Sequence, residues 1–95
     1  MQDQDQLRAI VTVVGIDHMG IIARITGILA ERNANILDIT QTIMGDIFTM
    51  SMVIDCGKAN VSFDLLREEL VAVGTEIGLE IHAQREDIYR YMHRI

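Results

Sequence analysis

The 95 residues include no proline, no tryptophan and one cysteine, Cys56. A lone cysteine excludes an intrachain disulfide. Without proline there is no proline-rich linker, and without tryptophan no indole platform for stacking. Cations are also scarce: 8 Lys and Arg stand against 14 Asp and Glu, a formal net charge of −6. That balance argues against nucleic acid as a direct partner, because affinity for a phosphate backbone comes largely from clustered Lys and Arg. No apolar run approaches the ~20 residues that span a bilayer, so no membrane partner is expected. The opening MQDQDQ lacks the basic start and apolar run of a secretory signal, which points to the cytoplasm. Residues 1–6 read as a flexible N-terminus, and no repeat or low-complexity tract follows them.

What is present is periodic. At 49% hydrophobic and 23% charged, the chain reads as one soluble globular domain over residues 1–95, without room for a second core. Leu7 to Val14 is β-branched and apolar on both faces, which suits a central strand. A turn through Gly15 to Gly20 leads into a helix to about Asn33, whose stripe is Ile21, Ile22, Ile25, Ile28 and Leu29. Asn35 to Met44 places Leu37, Ile39 and Ile43 against Asp38, Thr40 and Thr42. After the turn Gly45-Asp46, Ile47 to Asp55 alternates as its antiparallel partner. Asn60 or Ser62 caps a second helix with the stripe Phe63, Leu66, Leu70, Val73 and Ile77, which Gly78 ends. Leu79 to Ala83 forms a fourth strand, and residues 86–95 carry Ile88, Met92 and Ile95 at the spacing of a short amphipathic helix.

The order β α β β α β, with right-handed crossovers, predicts the α+β ferredoxin-like sandwich: a four-stranded antiparallel sheet, two helices on one face and a helical tail. The other face would carry Thr, Ser and His. That fold selects no function by itself. An RNA-binding module needs aromatics on its central strands, where only Phe48 is offered. A metallochaperone needs a soft pair such as CxxC in the first loop, which instead holds Asp17-His18-Met19. An acyl-phosphate hydrolase wants an arginine in that loop, whereas Arg24 sits inside the helix. His18, His82 and His93 show no metal-ligand spacing, and no nucleophile pairs with a base, so neither enzyme nor cofactor is expected. Met50 and Met52 read as core filler, and Cys56 as a small turn residue.

The first loop admits two readings. Gly15 and Gly20 serve backbone geometry alone, or the helix start after Gly20 receives a carboxylate while an Asn or Asp oxygen takes an ammonium.

Laid out this way, the chain resembles the ACT domain, a regulatory module, over nearly its whole length. The residues that carry the likeness are V-x-G-x-D-x-x-G-I (Val13 to Ile21), N-I-x-D-I-x-Q (Asn35 to Gln41) and F-T-M (Phe48 to Met50). The strand-two motif and the closing Ile88-Tyr89-x-x-Met92-His93-x-Ile95 look like the stand-alone ACT proteins of the UPF0237 group, related to the glycine-cleavage-system repressor. The resemblance implies an amino acid or similar small effector bound at a domain interface, with the first loop of one copy facing strand two of another. The implied site is Asp17, His18, Met19, Gly20 and Ile21 for backbone and wall contacts, with Asn35, Ile36 and Asp38 for polar recognition. Strand two would lie at a sheet edge, where unpaired N–H and C=O groups favour a homodimer. The competing expectation is a ligand-free interaction module that docks a partner protein by strand addition.

Overall fold

A computed structural model describes residues 7–86. The expected flexible start lies outside the described residues, as does the expected tail helix beyond Glu86. The elements are β1 (Arg8–Ile16), α1 (Ile21–Glu31), β2 (Asn35–Met44), β3 (Ile47–Asp55), α2 (Phe63–Ile77) and β4 (Leu79–Arg85). The strands form one sheet in the order β2-β3-β1-β4, antiparallel throughout, which is the ferredoxin-like arrangement read from the sequence. Among the described residues, no helix is long and apolar enough to cross a membrane.

Alternation sets the two faces of the sheet. Ala9, Val11 and Val13 of β1, Phe48, Met50, Met52 and Ile54 of β3, and Leu79, Ile81 and Ala83 of β4 are all buried beneath the helices. Val11 sits opposite both Met52 and Ala83, and Val13 opposite Met50 and Ile81, so large and small side chains share each row. Ile21, Ile25 and Leu29 of α1 and Leu66 and Leu70 of α2 close the core from above. Each such side chain contributes about 1.5–3 kcal/mol through removal from water.

The helix ends explain where the sequence reading slips. Asn33 adopts φ 61, a left-handed conformation that Asn tolerates better than most residues, so α1 stops at Glu31. The Ala34 N–H then turns back to the Leu29 carbonyl at 2.9 Å. Of the two candidate caps for α2, Ser62 holds the place: its Oγ accepts from the Leu65 N–H at 3.2 Å. Asn60 ties down α1 instead, donating from Nδ2 to the Glu31 carbonyl at 2.9 Å and from its backbone to Arg32 at 3.0 Å. Ser62→Ala should therefore cost about 1 kcal/mol, read as a lowered urea midpoint with unchanged slope, whereas an unshifted midpoint would deny the cap.

Two strand boundaries also move, and one strand carries an irregularity. β1 runs two residues past Val14, because Gly15 pairs with Phe48 and Leu79, and Ile16 with Ile47. A Cβ at Gly15 would displace the Leu79 side chain and lie 3.2 Å from the Gly78 carbonyl oxygen, so β1 and β4 approach closely there. β4 continues to Arg85 because Gln84 and Arg85 still pair with Ile10 and Ala9. In β2 a bulge lies between Ile36 and Asp38. The extra residue resets the alternation, so Ile36, opposite Ile54, shares the helix-side face with Ile39, opposite Met52.

Candidate functional site

The first loop is built between three neighbours. At the end of β1 the Asp17 N–H donates to the Asp46 carbonyl at 2.8 Å, which fixes the loop beside the β2–β3 turn. Gly20, at φ 89 and ψ 1, is the cap of α1 and has no side-chain hydrogen bond to offer. The first intrahelical bond runs from the Arg24 N–H to the Gly20 carbonyl at 3.0 Å. The N–H groups before Arg24 in that turn have no helical acceptor and are suited to an anion.

His18 has a definite position. Its Nε2 lies 3.1 Å from the Ile77 carbonyl oxygen and its Nδ1 3.1 Å from that of Met19. A carbonyl oxygen only accepts, so a neutral ring, carrying one N–H, can donate to just one of them. With its proton on Nε2 the ring donates to Ile77 and ties the loop to the last turn of α2, where carbonyls lack helical partners. Met19, at 97% exposure, projects into solvent, whereas the Ile21 side chain, at 2%, belongs to the core and leaves only its backbone to a ligand.

The remaining candidates lie elsewhere. β1 and β2 both run antiparallel to β3 and hence parallel to each other, so the loop sits at the Met44 end of β2. Asn35 lies at the other end, about 30 Å away along the strand. There Asn35 and Ile36 line a groove of about 670 Å³ between α1 and the β2 edge, walled by Ala23, Thr26, Gly27 and Ala30. Ile36 is half-buried against the core and exposes little to a ligand. Asp38 sits on the opposite face of the sheet, beside Val53, where it lines a recess of about 190 Å³. One Asp38 oxygen accepts from the Ile39 N–H at 2.9 Å. Within one chain, then, the loop, Asn35 with Ile36, and Asp38 occupy three separate places.

Sequence reasoning missed the groove. Its signal was present: Ala23, Gly27 and Ala30 repeat at i, i+4 and i+7 on the solvent side of α1, where charged residues are the norm.

Among the described residues, no three His, Cys, Asp or Glu converge as metal ligands. Cys56 is buried, and desolvation, with a smaller push from the Asp55 carboxylate, moves its thiol up from the ordinary 9.0 to about 11. The neutral thiol is the form the fold favours. Its stabilising contribution is therefore complete below pH 9.0 and is lost as pH rises through about 11. Native protein should accordingly resist thiol alkylation at pH 8 and react on unfolding, and equally fast labelling of both would contradict the burial.

Comparison with known proteins agrees with this architecture. The ACT domain family model matches residues 8–84. The UPF0237 protein of Methanopyrus kandleri is 52% identical over 88 residues, 93% of this chain and 98% of that one. An ACT domain protein from Streptococcus pneumoniae has a solved structure that superposes with a TM-score of 0.76 at 38% identity, covering 87% of this chain and 93% of that one. A candidate glycine cleavage system transcriptional repressor shares the fold at 24% identity and a TM-score of 0.71, with 84% of this chain matched to 46% of that one. By sequence over nearly all its described length, and by fold, the chain belongs to the ACT domain family.

Proposed function

We propose that this ACT domain is a non-catalytic cytoplasmic sensor that pairs through β2 and binds an amino acid or small carboxylate where two copies meet. The observation that carries this is the β2 edge: ten residues, exposed except at Ile36, with Leu37, Ile39, Ile43 and Met44 between 41% and 70% open. A long apolar edge of this kind is a template for another strand.

A two-fold axis through such an edge supplies the reason to place the ligand there. Antiparallel pairing sets Asn35 of one copy near Met44 of the other. Because Asp17 is bonded to the β2–β3 turn, the same pairing carries the first loop of one copy to the Asn35 end of its partner. The two halves of the expected site, apart in one chain, thus meet twice in a pair. The α1 N–H groups would receive the carboxylate, and Asn35 would take the ammonium with its side-chain oxygen. Asp38, on the far face of the sheet, contributes least in this arrangement.

The test is a thermal-shift screen of the pure protein against amino acids and small carboxylates, run beside light scattering at micromolar concentration. A ligand at 100 times its dissociation constant should add about 2.7 kcal/mol of stability. A dimeric mass with a flat screen would leave the edge as a docking surface without an effector. A monomeric mass would remove the shared site altogether.

A further inference from the structure

The second face of the sheet stands apart from that site, because both described helices bury the opposite one. At the Met44 end of β2 this face finishes in a row of Ile16, Ile47 and Met44, one from each of three strands, with Val14 two residues before Ile16 on β1. Ile16, Ile47, Met44 and Val14 are 54%, 40%, 70% and 41% exposed. Single exposed apolar residues are ordinary, whereas four at adjoining positions mark a contact surface. The polar row Thr40, Ser51, Thr12 and His82 closes the patch on the side beyond Val14.

Charge decides what fits it. Three exposed acidic residues border the patch: Asp46 in the turn between Met44 and Ile47, Asp17 directly after Ile16, and Glu80 opposite Val14 on β4. The bond from the Asp17 N–H to the Asp46 carbonyl keeps the first two side by side. Among the described residues the only Lys or Arg on this face is Arg8, which pairs with Glu86 at 3.0 Å. It stands six residues before Val14, about 20 Å away along β1. Arg24 belongs to the helix layer, where it pairs with Glu76 at 2.9 Å.

An acidic rim with no cation of its own repels a second copy of the same patch, and it repels phosphate-bearing surfaces such as an anionic membrane. It attracts Lys and Arg. Four apolar side chains also suit a short segment better than a whole domain, whose stable contact takes about 800 Å² a side. Met44 supplies the unbranched, polarizable side chain that adapts to what it meets.

We infer that the open face docks a basic protein segment at its Val14, Ile16, Ile47 and Met44 corner, with apolar anchors seated on these side chains and Lys or Arg set against Asp17, Asp46 and Glu80. Val14, Ile16 and Ile47 lie on β1 and β3, so this surface stays open when copies pair through β2.

Methyl-labelled NMR of the full chain, titrated with a synthetic amphipathic peptide of Leu and Lys, tests this, with a Leu and Glu peptide as the control. Only the Lys peptide should shift the Val14, Ile16, Ile47 and Met44 methyls, and the shifts should shrink as salt screens the carboxylates. Ile47→Lys should weaken binding roughly tenfold or more. Asp46→Asn should weaken it too and flatten its salt dependence, and both variants should keep the parent far-ultraviolet circular dichroism. Absence of shifts at about 1 mM peptide would overturn the inference. So would shifts centred on the β2 edge or the α1–β2 groove, or equal binding of the Glu peptide. Val14, Ile16 and Ile47 methyls that move with protein concentration alone would assign the patch to a second copy and overturn it as well. Pairing through β2 would move Ile39 and Ile43 instead, so the two readings fail separately.

Discussion

Leu70→Ala should lower the unfolding free energy by about 2–5 kcal/mol, a large share of the roughly 5–15 kcal/mol that holds a domain of this size. Leu70 is fully buried on α2 one turn from Leu66, also fully buried, and both face the sheet beside Ile25 and Leu29. Removing three carbons there loses their transfer energy and leaves a cavity, because the hydrogen-bonded sheet and a helix tied at its start and its middle cannot close in. Two ties matter: the Ser62 cap, and the Arg32 to Glu69 pair, in which Nε and a terminal guanidinium nitrogen meet both carboxylate oxygens at 2.9 and 2.6 Å. The neighbouring change Val71→Ala, at a site 41% exposed, should stay within about 0.5 kcal/mol and serves as the control. Urea unfolding of the two variants side by side decides the matter. Equal shifts would mean that α2 packs differently from the structure.

The combined substitution I39K/I43K should separate the proposed pair while leaving each copy folded. Both isoleucines point to the helix side of β2 yet remain 41% and 52% exposed, since nothing covers the strand's outer margin. In a two-fold pair each copy gives up two apolar side chains, four in all. At about 1 kcal/mol each, that is roughly 4 kcal/mol, or about a thousandfold in dissociation constant. Lysines on an edge also block strand addition by any partner. Light scattering should report a monomer at concentrations where the parent chain is dimeric, with an unchanged far-ultraviolet circular dichroism spectrum and an unfolding midpoint that no longer depends on protein concentration. A dimer that survives both lysines would place the interface on another surface.

The two strands of the β2–β3 hairpin show what patterning can specify. Asn35 to Met44 and Ile47 to Asp55 were legible to the residue because apolar and polar positions alternate over most of each strand on either side of a turn that needs a left-handed glycine, and Gly45 has φ 61. The central place of β1 was legible too, from apolar residues on both its faces. Where reading and structure diverge, the cause is a contact made far along the chain. β1 outlasts its apolar run because Phe48, Ile47 and Leu79 go on pairing with it. Ile36 changes face because one unpaired residue at the bulge shifts the phase of everything before it, which alternation cannot reveal.

The candidate site divides along the same line. That the Gly15 to Gly20 turn opens a helix, and that its first N–H groups are free to meet an anion, follows from local chemistry alone. Chain-order motifs could not tell that His18 would be held by the Ile77 carbonyl, 59 residues away. Nor could they tell that Asn35, Asp38 and the loop would stand in three places on one chain. The sequence by itself determined the elements, the fold and the loop, because these rest on side-chain periodicity and on which residues tolerate special backbone angles. Only the tertiary structure decided which side chains remain available to a ligand and that the β2 edge lies open, because burial and strand order arise when distant segments pack together.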